Sequence, residues 1–190
     1  LNGKLLFFSQ SHDLNELALT YYKHLAISYP KFYKMDNLCK LGFLAAELMI
    51  GSSEIGKKYP GSEIGIVFSN SSSSMDADIN HYNTIRDASN FFPSPAVFVY
   101  TLPNIVIGEI CIRHGITGEG NFFIMEKPDA EFIKNYISGL LDSGRISACL
   151  GGWVEYTAGS YEASMFTVEK KQIKNCENPP VSTTFEQKYK

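Results

Sequence analysis

Residues 101–155, TLPNIVIGEICIRHGITGEGNFFIMEKPDAEFIKNYISGLLDSGRISACLGGWVE, limit the fold of this chain more than any other stretch. The apolar pattern changes period repeatedly within it, and each period belongs to one kind of element. Pro103 opens a helix where a missing N–H costs nothing. Ile105, Ile107, Ile110 and Ile112 make that helix apolar on most sides, as a buried helix is. Gly115 and Gly118 end it and turn the chain. Residues 121–125 are an apolar run long enough only for a strand. Glu126, Lys127, Pro128 and Asp129 form a corner. Phe132, Ile133, Tyr136, Ile137, Leu140 and Leu141 then mark one side of a second helix. Gly144 closes it, and residues 146–154 begin another strand around Gly151 and Gly152.

A strand that turns sharply into a helix is a nucleophile elbow in many α/β enzymes, because the helix N-terminus stabilises negative charge at the corner. This stretch resembles the β-ketoacyl synthases of the thiolase superfamily. Their N-terminal half carries LPN-x-x-x-G-x-I-x-I-R-x-G, a turn, a strand to the nucleophile, a helix ending in Gly, and a strand with A-G-G-x-E. The matching residues here are Leu102, Pro103, Asn104, Gly108, Ile110, Ile112, Arg113, Gly115, Gly118, Gly144, Gly151, Gly152 and Glu155. The resemblance implies an α/β fold, a thiolase-like half with a mixed, mostly parallel sheet flanked by helices. It places the family's nucleophilic cysteine on Lys127, with Glu126 and Pro128 where small residues stand. Lysine cannot form the acyl thioester that condensation needs. The family's second half supplies two histidines and a lysine for decarboxylation. This chain is about long enough for one half, and its histidines are His12, His24, His81 and His114.

Composition bounds the alternatives. One domain over residues 1–171 fits the length of 190 residues and the 44% hydrophobic content, with a polar tail over 172–190. A net charge of −3 gives no basic footprint for nucleic acid. No apolar run reaches membrane-spanning length, and His12, Asp13 and Glu16 interrupt any signal-peptide pattern, so the expected location is cytoplasmic. Cys39, Cys111, Cys149 and Cys176 lack metal-ligand spacing and read as reduced thiols, so no metal or cofactor is expected.

Along the rest of the chain, residues 4–8 read as a buried strand. Tyr21, Tyr22, Tyr29, Phe32 and Tyr33 are a sticky face for a partner or, more simply, core packing. Residues 33–51 resemble a second ketosynthase stretch, Met35-Asp36 followed by a helix with Ala45 and Ala46; Asp36 is its N-cap and Gly51 its stop. Residues 63–69 form the next strand, and Ser71 to Ser74 a surface loop without the glycines and lysine of a phosphate loop. A mostly polar helix is expected over 76–89, then an extended segment at Pro93 and Pro95. The resemblance implies that Phe91, Phe92, Phe98 and Tyr100, with Phe122 and Phe123 on the strand before the corner, line a dimer contact or acyl pocket. His114 could cap helix carbonyls, Arg113 reads as structural, and Glu155 as a hydrogen-bonded anchor.

Three functional readings follow. The first is a non-catalytic ketosynthase-like protein, an accessory or chain-length-factor-like subunit in fatty-acid, polyketide or polyene biosynthesis. Its implied partners are an acyl carrier protein or a ketosynthase subunit, in a homo- or heterodimer. The second is an acyltransferase or ketosynthase-type enzyme using a residue other than cysteine, with a Schiff base at Lys127 as one route. The third is a repurposed homodimeric ligand-binding module.

Overall fold

A computed structural model describes residues 13–89 and 91–170, and the backbone of 182–186. The strand expected over 4–8 lies outside these residues. The helices are α1 (Leu14–His24), α2 (Asn37–Ser53), α3 (Ile55–Lys58), α4 (Met75–Asn83), α5 (Pro95–Phe98), α6 (Ile105–His114) and α7 (Ala130–Asp142). The strands are β1 (Ile64–Asn70), β2 (Gly120–Ile124), β3 (Ala148–Thr157), β4 (Ser160–Glu169) and β5 (Ser182–Glu186), in spatial order β2-β1-β3-β4-β5. β2, β1 and β3 are parallel, β4 is antiparallel to β3, and β5 is antiparallel to β4. All strands but β4 therefore point one way, which is the mixed, mostly parallel sheet expected.

Helices cover both faces. On one, α1, α2 and α6 close over Ile64, Ile66, Phe68, Leu150, Val154 and Met165. The small side chains of α2 let it approach: a Cβ on Gly42 would lie 2.5 Å from Val106 and 3.3 Å from Val154. On the other face α7 packs Ile133, Ile137, Leu140 and Leu141 against Val67, Ile146 and Cys149. Its outer side, with Glu131, Lys134, Asn135 and Asp142, is exposed, as its one-sided stripe requires. Of the aromatics near residue 30, Tyr21, Tyr22, Tyr29 and Phe32 are core packing, with Tyr22 stacked on Phe32 at 4.3 Å and Tyr29 on Phe43 at 5.3 Å, whereas Tyr33 is exposed.

Several local expectations are corrected. The central helix starts at Ile105, after Pro103, and Ile112 is 65% exposed, because the helix lies on the sheet with one side only. The helix expected over 76–89 ends at Asn83, with Thr84 as its C-cap. Pro95, expected in an extended segment, begins α5, where its fixed φ suits a first helical turn and Ser94 caps the Val97 N–H. Asp36 does cap α2, accepting from the Cys39 N–H at 2.9 Å, but α2 runs past Gly51 to Ser53 and ends on left-handed Glu54. Within the stretch read as a polar tail, Ser182–Glu186 adds an outer strand to the sheet beside β4.

Candidate functional site

The corner expected from the sequence is present. β2 ends at Ile124, and α7 begins at Ala130 behind Asp129, whose carboxylate accepts from the Phe132 N–H at 2.9 Å. The helix N-terminus is thus satisfied by a side chain of its own. Lys127 precedes that cap and is exposed, as are Glu126, Pro128 and Asp129. No ion pair among the described residues joins Lys127, neither with Glu126 nor with Asp129. Phe123, Ile124, Met125 and Phe132 line an open depression of about 630 Å³ at the corner. Beneath it the Phe123 ring meets Phe132 at 5.1 Å and Tyr136 at 4.9 Å, both edge-on.

None of the described thiols is built as a nucleophile. Cys39, Cys111 and Cys149 are free. Burial pushes the Cys149 thiol up to about 12, and raises Cys39 well above its ordinary value with help from the Asp36 charge. Burial also raises Cys111, which is half-buried on α6. All three stay protonated near neutral pH, and only the thiolate attacks. Among the described residues no group of His, Cys, Asp and Glu could hold a metal ion.

The six aromatic candidates occupy three places. Phe91, Phe92 and Phe98 are 57%, 76% and 54% exposed, on the segment joining α4 to α6. Tyr100 and Phe122 pack against the core under α2 and α6, and burial pushes the Tyr100 hydroxyl up to about 12. Phe123 packs against the α7 core, because successive residues of a strand face opposite ways.

Three polar arrangements hold the surrounding frame. Glu155 on β3 accepts from the Ser71 N–H (2.7 Å), the Ser71 hydroxyl (2.6 Å), the Ser72 N–H (3.3 Å) and the Ser72 hydroxyl. The serine loop's donors are therefore spent on an internal carboxylate, and Ser74 donates to the Thr101 carbonyl at 2.5 Å. Arg113 Nε donates to Glu47 at 2.9 Å; His114, expected to cap carbonyls, instead lies 3.0 Å from the same carboxylate. Glu109, only 6% exposed on α6, accepts from the Tyr29 hydroxyl (2.9 Å) and from Lys31 (3.1 Å). Burial, then the Glu109 hydrogen bond, pushes the Tyr29 hydroxyl up to about 12. Sequence reasoning missed Glu109; the signal was a carboxylate inside an isoleucine-rich helix, which must find a donor.

Comparison with solved structures places this fold. The ishigamide ketosynthase/chain length factor matches with a TM-score of 0.63 and 19% identity over 77% of this chain and 46% of its own. A ketosynthase in complex with its chain length factor from Xenorhabdus doucetiae matches at 0.51 and 11%, over 68% of this chain and 50% of that one. A type II PKS acyl-carrier protein in complex with its ketosynthase bound to the hexaketide matches at 0.53 and 15%, over 77% and 47%. The fold is therefore that of the ketosynthase and chain length factor structures, and the chain spans about half their length. No family model and no curated protein matches the chain.

Proposed function

We propose that this chain is a non-catalytic ketosynthase-like subunit, of the chain-length-factor kind, in polyketide, polyene or fatty-acid biosynthesis. The observation that carries the reading is the corner. The strand, turn and amphipathic helix of an acyl-transfer elbow are in place, but the turn carries exposed Lys127 and the helix end is closed by Asp129. A ketosynthase holds its acyl chain on a thiolate, and the described thiols are protonated and packed away from the turn. Ketosynthase-fold proteins solved as pairs, as the neighbours' descriptions state, favour an assembly role over a solitary one.

The partner contact in this reading is the outer edge of β2, which no strand among the described residues pairs. The Glu119 carbonyl and the Met125 N–H point at β1, so by alternation the N–H and C=O of Gly120, Phe122 and Ile124 point away from the sheet. An open edge with unpaired groups is a template for another strand. Antiparallel pairing about Phe122, with the same strand of a second copy or the equivalent strand of a ketosynthase, would use all of them.

The test is condensation. Purified protein given acyl and malonyl thioesters on coenzyme A or acyl carrier protein forms no ketoacyl product, and Lys127→Cys forms none either. The described histidines are engaged elsewhere, His24 stacked on Tyr21 at 6.0 Å, His81 against Phe98 at 5.2 Å and His114 beside Glu47. Product from the wild-type chain alone would overturn the reading.

A further inference from the structure

We infer that the chain between β1 and α6 is a strap that can open, and that the Glu155 carboxylate on β3 is the latch that holds it closed. The inference is independent of the accessory-subunit reading.

The strap has little apolar attachment of its own. Ala77 is the buried residue of α4, and α5 and Val99–Thr101 bury no residue fully. Met75, Ile79 and Tyr82 on α4 and Phe98 on α5 are half exposed or nearly so. A segment with so few buried apolar contacts opens at a cost well below that of the whole fold. At its far end Tyr100 packs against the core under α2 and α6. At its near end the attachment is polar. Glu155 accepts from the backbone N–H and the hydroxyl of both Ser71 and Ser72, so these donors converge on one carboxylate. Hydrogen bonds to a charged acceptor are the stronger kind. Asn37 on α2 also donates to Asp76, at a long 3.4 Å.

The loop is bent to reach the latch. The Asn70 side chain donates to the Ser73 carbonyl at 2.8 Å and accepts from the Ser73 N–H at 3.0 Å. Ser73 stands at φ 53°, in the left-handed region that a residue with a Cβ adopts at a cost. Such a conformation persists where its surroundings impose it, and the converging donors of Ser71 and Ser72 supply that constraint. The Ser74 hydroxyl then ties the two ends of the strap together by donating to the Thr101 carbonyl at 2.5 Å. Asn70 also adjoins the corner, since its carbonyl accepts from the Met125 N–H at 2.8 Å. The latch loop and the turn that carries Lys127 therefore hang on one residue at the end of β1. Losing the carboxylate frees the near end of the strap beside the corner and leaves the β1–β3 ladder in place.

The test is hydrogen exchange by mass spectrometry on the full chain near neutral pH. Glu155→Gln keeps the size of the side chain but turns N–H donors toward the serine donors. The amides of α4 then exchange roughly tenfold faster or more, while those of β1 and β3 keep their rates. Joint substitution Ser71→Ala and Ser72→Ala removes the hydroxyls, leaves the backbone donors, and speeds the same amides by less. Glu162→Gln removes the carboxylate that faces Glu155 from β4 and leaves α4 exchange unchanged. In Glu155→Ala, added formate refills the carboxylate position and slows α4 exchange, and chloride at the same ionic strength does not. Unchanged α4 exchange in Glu155→Gln, an equal rise through β1 and β3, an equal effect of Glu162→Gln, or no response of Glu155→Ala to formate would each overturn the inference.

Discussion

Gly108 and Gly152 both belong to the pattern that suggests a helix pressed on a sheet, and the sequence predicts that neither tolerates a larger residue. The structure separates them, and alanine substitution should move stability in opposite directions. A Cβ on Gly152 would lie 2.7 Å from the Ser164 carbonyl oxygen and 2.8 Å from Met165 Cγ. The carbonyl belongs to the paired strand β4, so relief requires moving backbone in the middle of the sheet. Overpacking of this kind costs about 1–3 kcal/mol. At about 2–4 °C per kcal/mol for a chain of this size, Gly152→Ala lowers the melting temperature by roughly 2–12 °C. A Cβ on Gly108 would meet nothing within 4 Å. Alanine is favoured over glycine in a helix interior by about 0.8–1 kcal/mol, so Gly108→Ala raises the melting temperature by roughly 2–4 °C. Differential scanning calorimetry on the two variants is the assay. A fall at Gly108 matching that at Gly152 would show that α6 is packed on both sides and that the open side described here is wrong.

Two further outcomes are expected. Burial raises the Glu47 carboxyl, but His114 and Arg113 outweigh it and hold it below the usual range, so its contribution is present above the unfolded value of about 4.3 and is lost as pH falls through the folded value. Glu47→Gln should cost about 1–3 kcal/mol at pH 7 and flatten the acid limb of stability below about pH 5; an unchanged acid limb would show that Glu47 does not contribute to it. Ile124→Pro deletes an N–H that points off the outer edge of β2, leaving the β1 ladder intact, and should abolish a dimer built on β2 as seen by light scattering; a dimer that persists would place the contact elsewhere.

Much of the frame was legible because it is written in period. The strand, corner, helix and strand of 120–157 emerge from a short apolar run, the charged and Pro-containing residues 126–129, a one-sided helical stripe and a pair of glycines, and each has a local cause. Asp36 could be read as a cap because a short carboxylate before an apolar stripe has few other uses; Asp129, read only as part of the corner, caps α7 in the same way. What could not be read depends on which side of an element faces the core. Ile112 looks buried by composition and is exposed because α6 has one neighbour face, and Phe122 and Phe123, adjacent in sequence, serve different cores. Glu155 was legible as a carboxylate needing donors, but its partners Ser71 and Ser72 lie more than eighty positions away, where only the β1–β3 pairing brings them. β5 was invisible because Ser182–Glu186 has too little apolar content to announce a strand and is placed by the edge of β4.

The central claim is that this corner carries no acyl chain, and intact-protein mass spectrometry tests it most directly. The chain is incubated with an acyl thioester of coenzyme A or of acyl carrier protein near neutral pH and weighed. No acyl adduct is expected on Lys127, Cys39, Cys111 or Cys149, because Lys127 stands in water at the turn and the three described thiols, two buried and Cys111 half-buried, are protonated. A stoichiometric acyl adduct, mapped by peptide sequencing to Lys127, Cys39, Cys111 or Cys149, would contradict the claim.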